Sequence, residues 1–129
     1  MKKMRFVAPY YEVEITLVQV EGVGDTDAIT KVCHDFKIEE EWAEEIKGCV
    51  SRDAVNGGNT FRCLNRYKIL VVFYRMTSEK ILRNRYCHEK RHVEDRILNW
   101  AGVDDIEAAA FLAGFLGEKF YEFELICKK

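Results

Sequence analysis

Residues 78–102 read SEKILRNRYCHEKRHVEDRILNWAG, and this stretch decides the fold. The hydroxyl of Thr77 or Ser78 suits a helix N-cap, and Gly102 suits the left-handed residue that closes a helix. With Glu89 set at zero and steps of about 100° per residue, Leu82, Tyr86, Val93, Ile97 and Trp100 fall in an arc between roughly 20° and 80°. The spacing therefore predicts one long helix over 78–101 with a single apolar stripe turned into a core. His88 and His92 fall at about −100° and −60°, flanking that stripe, with Glu89 at its edge. A polar edge beside a buried stripe is where a cleft opens.

Working outward, residues 11–20 predict a strand, with Val13, Ile15 and Leu17 in one phase and Val18 and Val20 in the other. Gly22-Val23-Gly24-Asp25 breaks it, and Asp25 is placed to cap a short helix over 27–33. A second helix is expected over 39–47, ending near Gly48, with Trp42, Ala43 and Ile46 on one face. Asn56-Gly57-Gly58-Asn59 is a strong turn signal. Beyond it, residues 60–64 and 67–74 predict a strand pair, and Ile69-Leu70-Val71-Val72-Phe73 reads as well buried. A last helix is expected over 105–122, with Asp104 at its N-cap and Glu107 three residues on, a capping-box spacing. The expected fold is α+β: one domain over residues 1–129, its small antiparallel sheet packed against the long helix and the C-terminal helix.

The composition agrees with a single globular domain: 129 residues, 48% hydrophobic, one Pro and a net charge of −2. A nucleic-acid binder gains no support from that charge. No apolar run approaches the roughly 18 residues of a bilayer span, and Met1-Lys2-Lys3-Met4-Arg5 leads into no signal-peptide core. Five cysteines, Cys33, Cys49, Cys63, Cys87 and Cys127, form no CxxC pair and predict free thiols in a reducing cytoplasm.

His88-Glu89-Lys90-Arg91-His92 is an HExxH pattern on a helix. Residues four apart share a face, so both imidazoles can reach one zinc ion, while Glu89, about 100° round, can take a proton without being a ligand. Hydrolytic zinc needs a third protein ligand and an open position. Lys90 and Arg91 are charged where such motifs usually are not, and both must point away from the metal. The structural alternative is a solvated charged helix, with Glu89 paired to Arg85 or Arg96 and Asp95 to Arg91. For the third ligand, Glu107 opens the next helix once Gly102 lets the chain turn back. Its alternative role is helix capping, and Asp104, Asp105 and Asp95 are further acidic candidates.

HExxH followed, after a short loop, by Glu107-Ala108-Ala109-Ala110-Phe111 resembles compact gluzincin-type metallopeptidases. The similarity is greatest to the small ImmA/IrrE-like zinc peptidases and to those of phages and mobile elements. It covers roughly residues 77–121. The resemblance implies a minimal zincin-like fold, zinc held by His88, His92 and Glu107, Glu89 as general base, and a peptide or protein substrate in a phage or mobile-element context. It also implies a sheet edge beside the motif helix that binds substrate as an added strand, with residues 69–74 as the candidate and an ordinary core strand as the alternative for them. Tyr67, Tyr74 and Tyr121 are candidates for stabilising an oxyanion. Cys87 is expected to pack away from the metal side, and His34 to be structural.

A competing class rests on charge. From Arg66 to Arg96 there are nine Lys or Arg against four Asp or Glu. That basic segment suits an interaction module for nucleic acid or an acidic protein, or a zincin-like domain without activity. Glu39-Glu40-Glu41 and Glu44-Glu45 form its acidic counterpart.

Overall fold

The computed structural model describes residues 1–63 and 67–129. Four strands, β1 (Lys2–Ala8), β2 (Val13–Gln19), β3 (Gly58–Arg62) and β4 (Lys68–Phe73), form one sheet in the order β1-β2-β4-β3. Four helices complete the fold: α1 (Thr26–Asp35), α2 (Glu40–Ser51), α3 (Glu79–Ala101) and α4 (Ile106–Cys127). The fold is α+β, as expected, but the sheet is mixed. β1·β2 and β3·β4 are antiparallel, whereas β2·β4 is parallel. The cause is the connection: after β2 the chain crosses one face as α1 and α2, and the β3–β4 hairpin brings it back in the direction of β2.

β2 and β4 lie between other strands and are buried on both faces, which explains the two interleaved apolar phases of β2. Ile15 and Leu17, with Ile69, Val71 and Phe73, face α3 and α4. Val18, with Leu70 and Val72, faces α1 and α2. The first core is closed by Tyr86, Val93 and Ile97 of α3 and by Leu112, Leu116, Phe120 and Phe123 of α4. Phe73, fully buried, has its ring 4.4 Å from that of Tyr86 and 6.3 Å from that of Phe120.

The strand β1 was not expected from the sequence. Met4, Phe6 and Ala8 alternate toward the core while Lys3, Arg5 and Val7 face outward. α4 packs over this strand, with Phe115 against Phe6 and Phe111 against Tyr10. α3 instead lies over β3, at the far side of the sheet. Other boundaries shift modestly. α2 runs three residues past Gly48, to Ser51, and α4 continues to Cys127. Leu64, the expected end of a strand, and Arg66, in the basic segment, lie outside the described residues. At α3 both ends match expectation: the Ser78 hydroxyl accepts from the Ile81 N–H, and Gly102 closes the helix at φ 69°.

No helix among the described residues is long and apolar enough to cross a membrane. All five cysteines are free thiols. Burial pushes the Cys33 and Cys63 thiols up from 9.0 to about 11.

Two predictions follow from this core. Phe73→Ala should cost about 3–5 kcal/mol, read from urea unfolding midpoints. Between pH 9 and 11 the unfolded chain ionises its thiols before the folded chain ionises Cys33 and Cys63, so stability should fall as pH rises through that window. A Cys33→Ala, Cys63→Ala double variant should show a shallower decline in the same titration.

Candidate functional site

The motif helix delivers its chemistry to the outer margin of the sheet. The imidazoles of His88 and His92 stand edge to face, with Nε2 atoms 3.1 Å apart. Both rings are exposed, whereas Glu89 beside them is only 2% exposed. Its Oε1 accepts from the Thr60 hydroxyl at 2.9 Å, and its Oε2 accepts from Arg85 Nη1 at 3.3 Å. That second oxygen lies 3.8 Å from His88 Nε2. A buried carboxylate is costly unless paired and hydrogen-bonded, and here Thr60 and Arg85 supply both partners. The pairing of Glu89 with Arg85 is the one the charged-helix alternative expects, while Arg96 Nη2 donates to the Thr60 carbonyl at 3.2 Å instead.

Lys90 and Arg91 point away from the histidines, as the motif requires. Lys90 pairs with Glu94 and reaches the Ala113 carbonyl on α4. Arg91 pairs with Asp95 at 3.3 Å.

A cleft of about 560 Å³ holds the site, with His88, Glu89 and His92 in its α3 wall. Arg85 and Arg96 extend that wall, β3 forms the floor, and Ile38, Glu39 and Trp42 at the start of α2 form the opposite wall. Close approach of α3 to β3 depends on Gly58, where a Cβ would meet the Val72 carbonyl at 3.1 Å and Arg85 Cδ at 3.3 Å.

The third expected ligand is elsewhere. Glu107 is exposed in the first turn of α4 and does not line the cleft, and neither do Asp104, Asp105 and Asp95. Among the described residues no group of three or more His, Cys, Asp and Glu is set to hold a metal ion. The reason is packing: α4 covers β1, while the histidines open toward β3, so α3 separates Glu107 from them. The N-cap also differs from expectation, since Asp105, not Asp104, accepts from the Ala108 N–H. Glu107 is therefore not the third residue of a capping box.

The remaining expected residues separate clearly. Tyr74 is buried and accepts from Asn59, Tyr67 packs edge-on to Trp100, and Tyr121 lines a groove between α3 and α4. None of the three lines the cleft. Cys87 faces the α3–α4 groove, and His34 is exposed on α1. The strand of residues 69–74 is interior, so it offers no edge; β3 holds that position. Thr60, Arg62, Trp42 and Glu39 enter the site unannounced by any motif. The sequence signals for β3 were the strand expected over 60–64 and the turn before it, of which Gly58 and Asn59 belong to the strand itself.

The donor set can be tested against zinc. Two Zn–N bonds of about 2.0–2.1 Å at a tetrahedral angle separate the nitrogens by about 3.3 Å. The Nε2 separation of 3.1 Å is close to that, and neutral imidazoles are suitable zinc donors. The pair could therefore supply two of the three protein ligands that hydrolytic zinc needs, and no described residue completes the set.

His88→Ala and His92→Ala should each weaken zinc binding by at least about tenfold, whereas Glu107→Gln should leave it unchanged, as read by competition with a chromogenic chelator. A loss on Glu107→Gln equal to that on His88→Ala would return Glu107 to the ligand set. The chain matches no family model, and no curated protein or solved structure is significantly similar to it.

Proposed function

We propose that this chain is a zinc-dependent hydrolase acting on a peptide bond, with His88 and His92 as the protein's metal ligands and Glu89 as the general base. The observation that supports this reading best is the Nε2 pair at 3.1 Å with a buried carboxylate 3.8 Å away, all in the wall of one cleft. Bound zinc would acidify water and polarise the scissile carbonyl. The chain's own residues do the rest. Thr60 holds Glu89 Oε1 and Arg85 holds Oε2, which lies on the histidine side, where it would accept a proton from water and return it to the leaving amine. Arg96, which lines the cleft and has no carboxylate partner among the described residues, offers positive charge to a developing oxyanion. A cytoplasmic setting fits the five free thiols.

A second reading, a zincin-like interaction domain without activity, is favoured by one observation: Glu107 stands away from the histidines, leaving the site two protein ligands. Glu89→Gln separates the two readings. In the hydrolase, zinc affinity should hold while hydrolysis of a mixed peptide library falls by about 10²–10⁴-fold, followed by mass spectrometry. Zinc binding with the same cleavage in wild type and Glu89→Gln would sink the assignment of the base, and absence of any zinc binding would sink the reading as a whole.

A further inference from the structure

The hairpin register shows which main-chain groups of β3 point away from β4, the Thr60 carbonyl among them being held by Arg96. Cys63 N–H bonds to the Lys68 carbonyl and Tyr74 N–H to the Gly57 carbonyl, so the odd-numbered residues of β3 bond inward to β4. Gly58, Thr60 and Arg62 therefore turn their main-chain N–H and C=O groups outward, along the floor of the cleft. Their side-chain positions share the α3 face, while Asn59 and Phe61 take the α2 face. A strand added here would likewise alternate its side chains between the two walls.

Those walls differ in chemistry. On the α3 side, Arg85, His88, His92 and Arg96 follow one another at helical spacing over about 16 Å, the length of a five-residue strand. Arg85 is neutralised by Glu89. Arg62 and Arg96 have no carboxylate partner among the described residues, and Arg96 spends one N–H on the Thr60 carbonyl. On the α2 side, Trp42 is 48% exposed above Phe61, with Ile38 beneath and Glu39 at the rim.

We propose that the cleft takes an extended peptide of alternating character, with acidic side chains toward Arg62 and Arg96 and apolar ones toward Trp42 and Ile38. This inference rests on the cleft being the substrate site of the hydrolase proposed above. A peptide suits the site better than single-stranded nucleic acid, because the outward main-chain groups seek strand partners and Glu39 repels a phosphate chain.

The test is fluorescence anisotropy on full-length protein stripped of metal by chelator, so that binding is read without turnover and independently of zinc. The probes are labelled heptapeptides: Glu and Val alternating, Lys and Val alternating, and the Glu–Val composition rearranged into two blocks. The alternating Glu peptide should bind about tenfold or more tighter than either other peptide, and Arg62→Ser and Arg96→Ser should each reduce its affinity by about three- to tenfold. Arg62 is exposed and unpaired among the described residues, so Arg62→Ser should keep the fold, to be checked by circular dichroism. Equal binding of the block peptide, indifference to both substitutions, or tighter arginine-dependent binding of a single-stranded oligonucleotide would each overturn the proposal.

Discussion

The burial of one carboxylate organises the functional half of this molecule. Glu89 is withdrawn from water at the contact between α3 and β3, and it can be charged there only because Thr60 reaches it from the strand and Arg85 from the preceding helical turn. That three-way contact fixes the height and rotation of α3 over the sheet. Gly58 permits the approach, since a side chain there would strike both β4 and Arg85. With Glu89 locked, helical geometry leaves His88 and His92 nowhere to point except along the margin of the sheet.

The sheet supplies rigidity under that contact. β2 and β4 carry apolar side chains on both faces and separate two cores, one closed by α3 and α4 and the other by α1 and α2. The cleft lies along β3, between α3 on one side and the start of α2 on the other, so its walls come from both layers. Its two chemistries, cationic on one side and aromatic on the other, come from elements of different layers.

Local periodicity made α3 legible: its caps, its buried stripe and the outward rotation of both histidines relative to Glu89 all agree with the sequence reading. The alternation of Val13, Ile15 and Leu17 likewise located β2. What could not be read was tertiary. β1 hides its alternation of Met4, Phe6 and Ala8 among Lys2, Lys3 and Arg5, and without β1 there was no reason to place α4 on the far side of α3. The position of Glu107 depends on that placement, so a ligand that looks close along the chain lies across a helix in the fold. The continuous run Ile69-Leu70-Val71-Val72-Phe73 carries the mark of a strand covered on both faces, which belongs inside a sheet rather than at its margin. Thr60, Arg62 and Trp42 belong to no motif and join the site only through the hairpin register and the packing of α2.

The capping of the Thr60 carbonyl by Arg96 bears on how the molecule behaves in a crowded solution. A sheet with two open margins is a template on which identical chains can polymerise edge to edge. Here one margin is flanked by Arg62 and Arg96 and the other displays Lys3 and Arg5, so two copies approaching through either would bring like charges together and, at β3, would have to displace a guanidinium from the carbonyl they need. The cations beside the cleft thus disfavour the pairing of identical chains at the margin of β3.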